Sequence, residues 1–105
     1  MMAFIMVYVG FQTIADCKRV AEPLLQNKLI ASFNYFPIKS VSFWPGKMSE
    51  GDEIACVMKT ASKNWDQLVK EIERMHVYKI PCIMKFDMIS NKAFDEWVNK
   101  ETGGS

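Results

Sequence analysis

Apolar residues recur along this chain at two different spacings, and the switches between them lay out the elements. Ala3 to Val9 (AFIMVYV) is a continuous apolar run closed by Gly10. It is short and β-prone, which predicts a central strand covered on both faces. Gly10-Phe11-Gln12 is read as the connection. Thr13 then opens Thr-Ile-Ala-Asp, the spacing of a helix N-cap with an acidic residue in the first turn. Ile14, Cys17, Val20, Ala21, Leu24 and Leu25 recur every three or four positions, with Asp16, Lys18, Arg19 and Glu22 between them. This predicts an amphipathic helix of about 14 residues ending near Asn27. Pro23 removes the hydrogen bond to the Arg19 carbonyl and is expected to kink it.

From Lys28 to Thr60 the pattern is that of a long hairpin. Its arms, Ser32 to Trp44 and Glu53 to Thr60, are rich in Ile, Val, Phe, Tyr and Met. Trp44-Pro45-Gly46-Lys47 has turn chemistry: proline presets φ at one central position and glycine accepts positive φ at the next. Pro37 cannot donate to a ladder and marks a bulge or an edge position. The polar stretch Ser49-Glu50-Gly51-Asp52 is expected to hold a second irregularity. In the return arm Ile54, Cys56 and Met58 share one face, and Glu53, Ala55, Val57 and Lys59 the other. An arm of more than ten residues is long against a usual strand of about 5–6. Such a hairpin overhangs a small body, and its free edges call for a cover, which another copy of the chain would supply.

Ser62 or Asn64 is placed to cap a second helix with an apolar stripe of Trp65, Leu68, Val69, Ile72 and Met75. His76 to Pro81 links it to a last strand, Cys82 to Met88. Ser90 or Asn91 then caps a short helix holding Phe94, Trp97 and Val98. The order β-α-β-β-α-β plus a terminal helix predicts an α+β, ferredoxin-like sandwich: a four-stranded antiparallel sheet with two helices on one face. Its 105 residues form one domain, 1-105, with a tail expected to fray from about 101 to 105.

Composition narrows the function. Half the residues are apolar and 24% are charged, an ordinary globular balance. A net charge of +1 gives no basic field for nucleic acid or an anionic membrane. The longest apolar run is too short to span a bilayer. A cytoplasmic location is the expectation. Three cysteines, Cys17, Cys56 and Cys82, form no CxxC pair and read as small buried hydrophobes. Eight methionines invite a Cu(I) reading. They are scattered, and Met6, Met58, Met75 and Met84 fall on core-type positions, so core filling is preferred.

His76 is the single histidine, at the end of a helix, with Glu73 three residues before it and Tyr78 and Lys79 after it. It can serve as a metal ligand or proton-transfer group, or simply as a helix C-cap. Glu53 and Lys59 share a strand face about 20 Å apart, too far to pair, and either line one groove from its two ends or act as solvated edge charges. No P-loop, GxGxxG, HExxH or GxSxG motif occurs, and no nucleophile–base spacing argues for an enzyme.

The hairpin and the His76 linker together resemble the divalent-cation-tolerance (CutA) family. Its pattern R-L-A-A-C-V-N-x-x-P-x-x-S-x-Y-x-W-x-G-K is matched without a gap by Leu29, Ala31, Asn34, Pro37, Ser40, Trp44, Gly46 and Lys47. E-x-x-x-x-x-K-T appears as Glu53 through Lys59-Thr60, H-P-Y-E-V-P as His76 to Pro81, and N-x-x-Y-x-x-W as Asn91, Phe94 and Trp97. Three departures stand out: Ser32 replaces the family's cysteine, and Val77 and Lys79 replace its proline and glutamate. Lys79 puts a cation where a carboxylate could have helped hold a metal.

The resemblance implies a subunit akin to the PII (GlnB) signalling proteins, assembled as a tight homotrimer whose long hairpins pair across subunits. It implies divalent cation (copper) tolerance, with Trp44, Glu53, Lys59, His76 and Tyr78 drawn together in intersubunit clefts. The leading expectation is a trimeric cation-binding or tolerance protein without catalytic turnover. In it His76 would be a direct ligand for Cu(II) or another divalent cation, Glu53 and Glu73 would be oxygen donors, and Tyr78 would lie nearby. The rival is a sensor that takes a small anionic metabolite in the same cleft through Lys59, Lys79 and backbone amides. A third is a trimeric scaffold for partners.

Overall fold

A computed structural model describes residues 4–43 and 46–104. In chain order it contains strand β1 (Phe4–Phe11), helix α1 (Ile14–Gln26), strands β2 (Ser32–Phe43) and β3 (Met48–Ala61), helix α2 (Trp65–Met75), strand β4 (Ile83–Met88) and helix α3 (Lys92–Glu101). A single 3₁₀ turn, Ser62–Asn64, precedes α2. The sheet order is β2-β3-β1-β4 with every neighbouring pair antiparallel. This is the ferredoxin-like α+β arrangement with a third helix at the end.

Alternation along the strands sorts the sheet into two faces. Ile5, Val7, Val9 and Phe11 of β1 pair with Thr60, Met58, Cys56 and Ile54 of β3, so one face is apolar and continuous. Against it pack Cys17, Val20, Ala21 and Leu24 of α1 and Leu68 and Ile72 of α2, forming the main core. A smaller cluster joins Phe4, Ala31 and Val98, with Phe94 packed against it edge-to-face on Phe4.

Helix α1 starts as its sequence directs, with the Asp16 amide donating to Thr13 Oγ1 at 3.1 Å. It continues unbroken through Pro23 to Gln26. The lost hydrogen bond is outweighed by burial of Val20, Ala21 and Leu24 on either side of it. The helix ends with Lys28 at φ +60, the left-handed position more often given to glycine, and the Leu29 amide returns to the Leu24 carbonyl at 2.9 Å.

The hairpin is longer and more regular than its sequence suggests. β3 runs through the polar stretch without a break: Ser49 opposes Ser42, Glu50 opposes Val41, Gly51 opposes Ser40 and Asp52 opposes Lys39. Lys39 and Asp52 form a cross-strand ion pair there, so polarity reflects exposure and not irregularity. Pro37 opposes Ile54 in uninterrupted register; β2 is an edge strand, so its missing donor faces outward and no bulge is needed. Gly46 takes the positive φ expected of it, at 76°. Trp44 and Pro45 lie outside the described residues. The molecule is 45 Å long and only 24 by 21 Å across.

Other expectations are corrected by tertiary contacts. Neither Ser62 nor Asn64 caps α2 through a side-chain hydrogen bond to the helix. Asn64 is buried and donates to Thr60 Oγ1 at 3.0 Å and to the Thr102 carbonyl at 2.8 Å. Strand β1 extends to Phe11, which is fully buried and not part of a connection. Cys17 and Cys56 are buried, but Cys82 is exposed. Met58 is core; Met84 is 45% exposed because it lies on the face turned away from the helices. The chain from 101 does not fray at once: Thr102 is buried, its hydroxyl accepts from the Ala61 amide at 3.0 Å, and the Gly104 amide reaches the Asn99 carbonyl at 2.7 Å.

Asn64 thus ties β3 to the end of α3. Asn64→Ala leaves the buried Thr102 carbonyl unmatched and should lower stability by about 1–3 kcal/mol, read as a lower midpoint in guanidinium unfolding with an unchanged slope.

Candidate functional site

The face of the sheet away from the helices carries Glu53, Ala55, Val57 and Lys59 of β3, flanked by Met6 and Tyr8 of β1 and by Asn34, Phe36 and Ile38 of β2. Glu53 stands one residue before β3 begins pairing with β1, at Ile54 opposite Phe11. The segment after α2 crosses the sheet end here and brings His76 and Tyr78 to it.

His76 is held on three sides. Its Nε2 is 2.7 Å from the Gly10 carbonyl, and its Nδ1 is 3.0 Å from the Tyr78 amide. Its ring stacks on Phe11 with centroids 4.8 Å apart and planes 8° from parallel. The Tyr78 ring leans on it at 4.9 Å, and the Tyr78 hydroxyl donates to Glu53 Oε2 at 2.6 Å. Arg19 of α1 donates to the Met75 carbonyl at 2.9 Å, fixing the residue before His76.

The electrostatics follow from this crowding. Burial pushes the Tyr78 phenol well above its ordinary value, and the Glu53 carboxylate that accepts its hydrogen bond adds to the shift. Tyr8 is raised as well, first by burial and then by Cys82 and Glu53. Lys59 is shifted down by burial, and its ammonium donates to Asn34 Oδ1 on the adjacent strand. On the helix side the Cys17 and Cys56 thiols share a hydrogen bond, which raises the pKa of Cys56.

The residues singled out in the sequence are only partly gathered. Glu53, His76 and Tyr78 form one connected unit. Lys59 lies on the same face, six residues along β3 from Glu53. Glu73 and Lys79 are exposed, and Trp44 is outside the described residues. Among the described residues no group of three or more His, Cys, Asp or Glu is close enough to hold a metal ion, so His76, Glu53 and Glu73 do not form one ligand set within a chain. Phe11, the Gly10 carbonyl, Tyr8 and Asn34 belong to the site and were not read from the sequence. Asn34 alone left a signal, lying diagonally across the strand pair from Lys59.

A cavity of 390 Å³ opens elsewhere, lined by Asn27, Lys28, Gln67, Glu71 and Arg74 among others at the ends of α1 and α2. Its charges are already matched, Arg74 by Glu71 and Lys28 by Glu101. It is distinct from the Glu53 cluster.

Fold and site define a ferredoxin-like α+β protein with an overhanging hairpin and a polar cluster of Glu53, His76 and Tyr78 at its base. The family description "CutA1 divalent ion tolerance protein" matches residues 5–101. A divalent-cation tolerance protein CutA from Archaeoglobus fulgidus is 34% identical over 95 residues, 90% of this chain and 93% of that one. A solved structure of the periplasmic divalent cation tolerance protein CutA from A. fulgidus superposes with a TM-score of 0.91 at 32% identity, covering 94% of this chain and 98% of that one. The divalent ion tolerance protein CutA1 from Ehrlichia chaffeensis does so with a TM-score of 0.91 at 33% identity over 97% of each chain. The chain belongs to the CutA1 divalent ion tolerance family. Among the described residues no helix is long and apolar enough to cross a membrane.

The raised phenol of Tyr78 has a pH signature. A proton bound more tightly in the folded chain contributes stability that is complete below pH 10, the ordinary phenol value, and is lost as pH rises above it. Glu53→Gln removes the carboxylate and should bring the ultraviolet titration of Tyr78, and less strongly that of Tyr8, down toward that ordinary value, with less stability lost at high pH. An unchanged titration would separate Tyr78 from Glu53.

Proposed function

We propose that this chain serves divalent-cation tolerance as a homotrimer without turnover, binding copper or a similar cation at Glu53 in a cleft that neighbouring copies complete. The observation that carries this reading is the uncovered apolar face beside Glu53. Phe36, Met84 and Phe86 lie on it 45%, 45% and 46% exposed, with Met6, Tyr8 and Ile38 partly buried around them. Such a contiguous apolar surface on an isolated chain marks an interface. The hairpin extends beyond the body with Val41, Phe43 and Met48 more than half exposed, as expected of an arm that lies on a neighbour.

Cation binding then requires donors from more than one copy. Glu53 supplies a hard oxygen ligand suited to a divalent cation. Of the other two donors considered, Glu73 is exposed on α2, and both ring nitrogens of His76 are engaged within the chain. Sedimentation at micromolar concentration should give three chains, and Phe86→Asp should give one. Competition titration with Cu(II) and Zn(II) should show Glu53→Gln binding about 10-fold or more weakly than the parent. A parent chain that sediments as a monomer, or a Glu53→Gln variant of undiminished affinity, would overturn the respective half of the proposal.

One observation favours a second reading, a small organic anion bound in the same cleft. Lys59 is a partly buried ammonium whose hydrogen bond goes to the neutral Asn34 amide and to no carboxylate. A thermal-shift comparison separates the two. Metals raise Tm in the first reading; carboxylates or nucleotides, lost with Lys59→Met, raise it in the second. For location we propose the cytoplasm, a reducing setting that suits three free cysteines, Cys82 exposed among them. Recovery of the protein in a periplasmic fraction would refute it.

A further inference from the structure

We infer that His76 is a positioning residue and not a cation ligand: the imidazole is locked between two backbone groups as its Nε2–H tautomer and thereby sets Tyr78 against Glu53. The assignment follows from what each partner can do. A backbone amide only donates, so Nδ1, 3.0 Å from the Tyr78 amide, presents its lone pair to it. A backbone carbonyl only accepts, so Nε2, 2.7 Å from the Gly10 carbonyl, carries the proton. A metal ion is coordinated through a ring lone pair. One is occupied by an amide and the other nitrogen is protonated, so a ligand role would break a backbone contact on one side or the other.

The surroundings hold the ring in this pose. Fully buried Phe11 stacks along one face. The His76 amide still bonds the Ile72 carbonyl at 2.8 Å, and Arg19 holds the Met75 carbonyl, so the backbone on the helix side is fixed. On the other side the imidazole draws the Tyr78 amide inward. The Tyr78 ring then lies tilted against the imidazole at 4.9 Å, with its hydroxyl 2.6 Å from Glu53 Oε2. His76 therefore acts on Glu53 through Tyr78. Only the meaning of Glu53 as a cation donor rests on the function proposed above; the tautomer and its coupling to Tyr78 hold without any metal.

The chain has one histidine, so its ring nitrogens can be assigned without ambiguity. Long-range proton–nitrogen correlation on the metal-free, nitrogen-15-labelled full chain should show one bare Nδ1 and one protonated Nε2, and adding Zn(II) should leave that pattern in place. Loss of the Nε2 proton, or a coordination shift at either nitrogen, would make His76 a ligand and overturn the inference. In metal-free protein, His76→Ala should speed hydrogen exchange at the Tyr78 amide, which donates to Nδ1, while His76→Asn, which keeps an acceptor near the Nδ1 position, should retain more of its protection. An exchange rate at that amide indifferent to both substitutions would also overturn it. If Zn(II) binds nowhere, the proposed cation role fails, and the metal-free spectra decide the positioning role by themselves.

Discussion

Strand β3 is paired along both edges, and the register of that double pairing is the constraint on which the other features depend. It opposes β1 from Ile54 to Ala61 and β2 from Met48 to Lys59. A slip of one residue would turn Ile54, Cys56 and Met58 away from the helices and put Glu53, Ala55, Val57 and Lys59 against them. No helix face could absorb two charges in exchange for three apolar side chains. Placing the first set against the helices and the second on the opposite face are therefore a single choice. The core and the candidate site are the two faces of one strand.

The site lies where that strand leaves the body. Upstream of Ile54, β3 has β2 as a partner but no longer β1, so the sheet narrows from its full width to a two-stranded arm. The end of β1 is left open at Gly10, whose carbonyl takes the His76 ring, and at Phe11, which stacks on it. The loop after α2 can reach Glu53 only because the neighbouring strand has ended. Hairpin length and site placement thus have a common cause. Polar groups gathered there satisfy one another: among the described residues no buried side-chain nitrogen or oxygen lacks a hydrogen-bond partner. A cluster so complete within one chain is rigid, and rigidity suits holding a carboxylate in one orientation.

Much of the fold was legible because it depends on local periodicity. The stripe of α1, the alternation from Ile54 to Met58 and the cap at Thr13 are properties of short segments; the alternation and the cap appear in the structure as read, and the stripe is buried from Cys17 to Leu24 while its ends, Ile14 and Leu25, are exposed. Expectations that failed did so where a distant residue intervened. Asn64 gives up its capping role for Thr60 and Thr102, the second of them 38 residues away. Gly51 and its polar neighbours stay in a regular strand because β2 supplies the matching ladder.

For the site, the sequence by itself determined that Glu53 and Lys59 share a face, because β-strand alternation leaves no other outcome, and that His76 closes α2, because the helical stripe ends there. Tertiary structure alone decided what those groups do. Whether an imidazole is a free ligand depends on which atoms lie within about 3 Å of its two nitrogens. Here one of those atoms, the Gly10 carbonyl, is 66 residues away along the chain. A hydrogen bond has a range of one contact, and spacing along a sequence carries no information about a contact that only folding brings into being.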